Sequence, residues 1–85
     1  MLVDLFAAWC GPCRALAPVL DALAEARPEL RIGKVDVDAQ PELAARFDVL
    51  TVPTLLLFRS GRLLRRTTGA KTLTELEEFL RSGEA

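Results

Sequence analysis

Hydrophobic and polar positions follow two different periods along the chain, and together they predict three helices and four strands. Apolar side chains recur three and four residues apart where helices are expected, and the last of these segments begins with a Thr–Glu pair typical of a capping box. Short apolar or alternating runs predict strands. In chain order, we predict a strand at Met1–Phe6, a helix from Pro12 to about Ala26, a strand at Arg31–Val37, a helix at Pro41–Phe47, strands at Thr54–Phe58 and Arg62–Thr68, and a helix at Thr72–Arg81.

This order, β-α-β-α-β-β-α, predicts an α/β fold built on one four-stranded mixed sheet. Strands joined through a helix favour a parallel pair with a right-handed crossover. The Ser60-Gly61 turn between the last two strands favours an antiparallel hairpin. Helices on both faces of the sheet are the simplest packing, and we expect residues 1–85 to form a single domain.

Composition and charge narrow the classes of function. A hydrophobic share of 51% argues against disorder. Lys plus Arg is 11 and Asp plus Glu is 12, so the net charge of −1 favours neither a nucleic-acid partner nor an anionic membrane. No segment reaches the roughly 20 apolar residues of a membrane span, and the first residues lack the basic start of a signal peptide. We therefore expect a cytoplasmic protein.

The candidate chemistry lies in Cys10-Gly11-Pro12-Cys13, at the junction of the first strand and the first helix. A helix N-terminus offers unpaired N–H groups and a partial positive charge, and both stabilise a thiolate. We expect Cys10, at the turn, to be the exposed nucleophile and Cys13, one turn into the helix, to be the shielded second thiol. Attack by Cys10 on a disulfide, followed by attack of Cys13 on Cys10, would complete a reduction.

Three residues near the motif are candidates for supporting roles. Asp4 lies in an otherwise apolar strand, so burial would raise its pKa and suit it to accept a proton from Cys13. Lys34 is either an ion partner of Asp4 or a solvated surface lysine. Trp9 is either a core residue or a shield over the two thiols that also offers substrate a flat contact.

Pro53 allows two interpretations. It either begins a strand or is a cis proline beside the cysteines that leaves the Val52 backbone free to pair with an extended substrate. The sequence does not determine the isomer.

Several functions other than disulfide reduction stay open on the residues alone. Two thiols without histidine could bind zinc only by sharing it across a dimer. An inert disulfide over so short a loop would stabilise the fold little. The chain could also be a disulfide oxidase or isomerase, or a module that docks a partner through a surface of Trp9, Pro53 and Gly69.

The motifs together resemble the thioredoxin family. The resemblance rests on Val3-Asp4, on Ala8-Trp9-Cys10-Gly11-Pro12-Cys13, on Lys34–Asp38, on Val49-Leu50-Thr51-Val52-Pro53-Thr54, and on the positions of Pro18, Gly61 and Gly69. It implies a thioredoxin fold, reduction of protein disulfides, and a part in electron transport and cell redox homeostasis. It also implies electrons from thioredoxin reductase, and ultimately from NADPH, with no cofactor or metal bound to this chain.

The resemblance further assigns roles to residues. It implies Cys10 as nucleophile, Cys13 as resolving thiol and Asp4 as a buried proton-transfer group. Gly11, Pro12 and Lys34 would tune the redox potential, and the Gly-Pro pair resembles that of reducing family members. The implied substrate-binding residues are Trp9, Val52, Pro53 and Gly69.

Two departures from the family pattern are visible. Phe6 stands where many thioredoxins have a second tryptophan. The given sequence begins at the first strand, without the strand and helix that precede it in full-length members, and we expect either a minimal domain or a start further upstream. Arg31–Val37 would then be a sheet edge, blunted by charged and small residues. A monomer is expected, with a dimer through this open edge as the alternative.

Overall fold

Four strands and three helices make up the part of the chain that the structure, a computed structural model, describes: residues 1–82. They are β1 (Leu2–Phe6), α1 (Gly11–Ala26), β2 (Ile32–Asp36), α2 (Pro41–Arg46), β3 (Thr54–Arg59), β4 (Arg62–Thr68) and α3 (Leu73–Ser82). The predicted element order is confirmed, and every predicted boundary lies within one residue of the observed one. The predicted domain also includes residues 83–85, which lie outside the described residues.

The sheet is mixed, with strand order β2-β1-β3-β4. The central strand β1 pairs in parallel with β2 and antiparallel with β3, which places Asp4 between Lys34 and Leu55. The β3–β4 hairpin turns at Ser60 and Gly61, whose φ values of 51° and 79° are the positive values that a type I′ turn requires at both central residues. Within residues 1–82, β2 and β4 are the two edges, as predicted for β2.

The main core lies between one face of the sheet and the helices α1 and α3. Its buried members are leucines and one phenylalanine: Leu2, Leu16, Leu20, Leu23, Leu55, Leu57, Leu76, Phe79 and Leu80. An ion pair between Arg27 and Glu77, 2.6 Å long, joins the end of α1 to α3. Each of these two helices therefore packs one apolar stripe against the sheet. The first turn of α1 lies at the end of the sheet.

The short helix α2 lies on the opposite face. Side chains alternate along β3, so Phe58 points away from the face that carries Leu55 and Leu57. Phe58 meets Phe47, at the end of α2, edge to face with ring centroids 5.8 Å apart. Helices therefore cover both faces, as predicted. None of the helices described combines the length and the apolar character that crossing a membrane requires.

The predicted capping box at the start of α3 is present. The Glu75 amide donates to Thr72 Oγ1 at 3.1 Å, and the Thr72 amide donates to Glu75 Oε1 at 2.9 Å. We expect Thr72→Ala to lower the free energy of unfolding by about 1 kcal/mol, because one amide of the first turn loses its partner. Urea denaturation measures this difference. Thr72→Ser keeps the hydroxyl and is the control; an equal loss in both variants would contradict a capping role.

Candidate active site

The two cysteines lie at the start of α1 and face each other. Cys10 is the N-cap residue, with an extended backbone, and the Cys13 amide donates a hydrogen bond to Cys10 Sγ at 3.2 Å. The Cys10 thiol in turn donates to the Val52 carbonyl, with sulfur and oxygen 3.6 Å apart. The two sulfurs are not bridged. The first turn of α1 thus directs an orphan N–H of the helix at one sulfur.

Cys10 is not the exposed residue that its place at a turn predicts. Its side chain is 4% exposed and that of Cys13 is 5% exposed, so the expected contrast in accessibility is wrong. The reason is a tertiary contact. The segment 49–52, some forty residues further along the chain, packs beside Cys10 and accepts its thiol at the Val52 carbonyl. The sequence around the turn at Cys10 does not predict that a distant segment will bury this residue.

The two sulfurs differ instead in the opening that each one lines. Cys10 lies in an outer groove of about 470 Å³, whose walls are residues 9–12 on one side and Val37 and residues 49–52 on the other. Cys13 lines a second, smaller cavity of about 160 Å³, here called the inner cavity, whose lining includes the buried Asp4 and the exposed Arg14 and Lys34. Cys10 therefore faces the wider, uncharged opening, and Cys13 shares its own opening with a carboxylate.

Asp4 is buried, as predicted, at 3% exposure. Burial raises the pKa of its carboxyl from 3.8 to about 6, and the positive charge of Lys34 works in the opposite direction. One oxygen, Oδ1, has no hydrogen-bond partner within the described residues. With a pKa of about 6 the carboxyl is mostly ionised at neutral pH, and it lines the same cavity as Cys13.

Lys34 does not form the ion pair with Asp4 that one interpretation predicted. It faces Asp4 in the register of β1 and β2, yet within residues 1–82 no salt bridge joins them. Lys34 is exposed, so its ammonium stays hydrated and influences the Asp4 pKa through its electrostatic field alone.

The thiol of Cys13 is held in its protonated form. Burial is the main reason that its pKa rises to about 11, and its hydrogen bond to Cys10 and the nearby charge of Asp4 act in the same direction. A sulfur in this state attacks only after a base has taken its proton.

Trp9 is an exposed residue of the groove rather than a core residue. Its side chain is 68% exposed, and its indole N–H donates to Asp38 Oδ2 at 2.9 Å. Asp36 steadies this partner by accepting the Asp38 amide at 2.9 Å. The indole is therefore fixed as one wall of the groove, next to the exposed Gly11 and Pro12.

The opposite wall is the loop that ends at Pro53. The Val52–Pro53 bond is cis. Pro53 is buried and accepts the amide of Gly69, whose φ is +88°, at 2.9 Å. Val52 lines the groove; Pro53 and Gly69 lie behind it. Of the four predicted substrate-binding residues, two are thus on the groove surface and two support it.

Sequence reasoning missed two parts of this wall. Val49, Leu50 and Thr51 line the groove beside Val52. Arg66, on the edge strand β4, donates to the carbonyl oxygens of Phe47 at 2.7 Å and Asp48 at 3.2 Å. It thereby satisfies backbone oxygens at the end of α2, where helices leave them unpaired. The signal for the first was the Val49–Thr54 motif of the family resemblance, although no binding role was assigned to residues 49–51; nothing in the sequence pointed to Arg66.

The two cysteines lie one helical turn apart, and the Cys13 amide donates to Cys10 Sγ at 3.2 Å. A pair of thiols in this position can form and open one intramolecular disulfide, and can thereby give two electrons to another disulfide or take two electrons from a dithiol. This chemistry defines the site as that of a thiol–disulfide oxidoreductase.

Comparison with known proteins agrees with this class. The thioredoxin family model matches residues 1–82. A thioredoxin of Chlamydia trachomatis serovar D is 48% identical over 80 residues, which cover 94% of this chain and 78% of that protein. The bifunctional thioredoxin reductase/thioredoxin of Mycobacterium leprae is 49% identical over 72 residues; the match covers 84% of this chain but spans 16% of that longer protein.

Solved structures give the same answer for the fold. Fasciola hepatica thioredoxin superposes with a TM-score of 0.89 at 43% identity, covering 96% of this chain and 78% of that one. Mitochondrial thioredoxin 3 of Saccharomyces cerevisiae, in its oxidised form, gives 0.88 at 37% identity, covering 95% of this chain and 76% of that one. The chain belongs to the thioredoxin family.

Proposed function

We propose that this chain reduces disulfide bonds in other proteins, with Cys10 as the nucleophile and Cys13 as the resolving thiol. The observation that carries the proposal is the division of the two sulfurs between two openings. Cys10 lines the outer groove, where substrate can arrive, and Cys13 lines the inner cavity, where Asp4 can take its proton.

The first step is attack on the substrate. The Cys10 thiolate attacks one sulfur of the substrate disulfide, which forms a mixed disulfide and releases the other substrate sulfur as a thiolate. The Cys13 amide, 3.2 Å from Cys10 Sγ, stabilises the anion on Cys10. The substrate chain would lie against Trp9 and the Val52 backbone, with Pro53 and Gly69 holding that backbone in place.

The second step releases the product. Asp4 accepts the proton of Cys13, and the Cys13 thiolate attacks Cys10 Sγ. The Cys10–Cys13 bond forms, and the second substrate sulfur leaves with the electron pair of the mixed disulfide. Because both sulfurs belong to one helical turn, the step is intramolecular and competes well with escape of the intermediate. Two electrons have then passed from the dithiol to the substrate.

A reductant must restore the dithiol, and we propose thioredoxin reductase, drawing its electrons from NADPH. The Mycobacterium leprae relative, whose name joins a thioredoxin reductase and a thioredoxin in one polypeptide, supports this pairing. We further propose that residues 1–85 act as a single domain and as a monomer in the cytoplasm. A reducing compartment keeps dithiols of this kind reduced, and the cycle needs only one copy of the chain.

The redox potential tests the direction of the reaction. We expect the Cys10–Cys13 pair to have a redox potential of about −270 mV, the value typical of thioredoxins. Gly11 and Pro12 bring no charged side chain that would stabilise the reduced form. Equilibration with glutathione at pH 7 measures it, alongside dithiol-driven reduction of insulin disulfides as the assay of activity.

A matched variant makes this test sharper. Pro12→His adds an imidazole beside Cys10, whose protonated form stabilises the thiolate, and should raise the potential by about 30 mV or more. A wild-type redox potential of about −120 to −180 mV would instead show that the chain oxidises or isomerises disulfides.

A further inference from the structure

Leu50 is exposed to an unusual degree for a leucine. The residue is 94% exposed, against 68% for Trp9 and 51% for Met1, the next most exposed of the large apolar residues in the part of the chain described. A single exposed leucine is ordinary on a protein surface. This one, however, lies on the rim of the groove that contains Cys10.

The position of Leu50 is fixed by its neighbours on both sides. Before it, Arg66 binds the carbonyls of Phe47 and Asp48, and the Val49 amide donates to the Ala44 carbonyl at 2.8 Å. After it, Thr54 Oγ1 donates to the Thr51 carbonyl at 2.7 Å. The side chain therefore projects from an anchored loop, so that its place relative to Cys10 is reproducible.

The groove selects by polarity. Its lining residues, at positions 9–12, 37 and 49–52, include no charged side chain. A carboxylate of a substrate that entered this groove would lose water and meet the like charge of Asp38 beside Trp9, whereas an apolar side chain would cover Leu50 and Trp9. The occupant is defined by continuity with Cys10: it is the extended segment around the disulfide of a substrate protein.

We propose that Leu50 is a specificity-determining residue, which favours substrate disulfides that have an apolar side chain two positions from the reacting cysteine. Leu50 precedes Val52 by two residues, and Val52 contacts Cys10. Two residues of chain span at most about 7 Å, so an extended substrate segment whose cysteine reaches Cys10 beside Val52 carries its second neighbour within reach of Leu50. This inference rests on the proposed function and names its preferred substrate.

Two synthetic substrates test it. Each is a homodimeric peptide linked by one disulfide, and the two differ only in carrying leucine or glutamate two positions before and after the cysteine. The wild-type protein should reduce the leucine peptide with a kcat/KM about tenfold higher than that of the glutamate peptide. In Leu50→Ala the preference should fall to about twofold, mainly through a higher KM for the leucine peptide.

Two further variants distinguish a change in substrate preference from a general loss of activity. Leu50→Lys should reverse the preference at low salt, since it offers the glutamate peptide an opposite charge. Leu63→Ala removes the same atoms from a leucine that is 42% exposed on β4, outside the groove, and should keep the tenfold ratio. The leucine at position 50 tolerates these changes because so little of it is buried.

The outcomes distinguish this inference from the proposed function. An unchanged ratio in Leu50→Ala, or an equal fall in Leu63→Ala, overturns the role of Leu50. If the wild-type protein reduces neither peptide nor insulin although its thiols react, the proposed function itself fails. A ratio that shifts in Leu50→Ala and reverses in Leu50→Lys supports the proposal.

Discussion

Replacing Cys10 with serine is expected to abolish the reduction of protein disulfides, with a loss of at least about a thousandfold in rate. A hydroxyl at the start of α1 cannot attack a disulfide at neutral pH, and burial, the main cause of the raised pKa of Cys13, still holds the remaining thiol protonated. Insulin reduction driven by a dithiol reductant measures the loss.

Cys13→Ser is the matched control, because it removes one sulfur from the same turn but leaves the nucleophile. It should also lose turnover, yet it should accumulate a covalent adduct with the substrate, since no second sulfur releases the mixed disulfide. Mass spectrometry detects the adduct. An adduct on Cys10→Ser and none on Cys13→Ser would reverse the roles assigned to the two residues.

Asp4→Asn is expected to stabilise the fold by about 2 kcal/mol at pH 8 and by almost nothing at pH 4. The folded-state pKa of Asp4 is about 6 against 3.8 in the unfolded chain, so between these values the folded protein holds a proton that the unfolded chain has lost. Stability therefore falls as the pH rises through this window and stays lower above it. Asparagine has nearly the same shape and carries no charge to desolvate.

Urea denaturation of the reduced proteins at both pH values provides the measurement. Asp21→Asn, on the exposed face of α1, is the control and should show no such difference between pH 4 and pH 8. A gain for Asp4→Asn that is the same at both pH values would show that the carboxylate charge is not its cause.

The same variant should lose activity while it gains stability. Without Asp4, no side chain in the inner cavity takes the proton of Cys13, so the release step should slow at least about tenfold. The attack by Cys10 does not use this proton and serves as the internal reference. In the wild-type protein, release should slow as the pH falls below about 6, where Asp4 becomes protonated.

The elements of this fold were predictable because the sequence marks them locally. Leucines at helical spacing define α1 and α3, and the Thr72–Glu75 pair and Ser60-Gly61 mark a helix start and a hairpin. Local signals of this kind locate elements to within a residue. The burial of Asp4 was also predictable, since a strand of apolar neighbours leaves a single carboxylate little access to water.

The parts that the sequence could not supply depend on contacts between distant segments. Cys10 is covered by a loop around Val52, so its burial follows from tertiary packing and not from its turn. Nothing in the sequence distinguishes Leu50 from the other leucines. Its place on the rim of the groove, which only the structure shows, makes it a candidate substrate contact. Arg66 reads as an ordinary charge on an edge strand, yet it binds the backbone of another segment.

Both hydrogen bonds of Arg66 end on main-chain oxygens, which every amino acid provides. The Arg66 contact that holds the start of the groove wall therefore does not depend on which side chains that wall carries. Mutations at Leu50 or Thr51 can accumulate without moving the segment that carries them. The preference proposed for Leu50 can therefore be changed by substitution at that position while the Val52 carbonyl keeps its contact with Cys10.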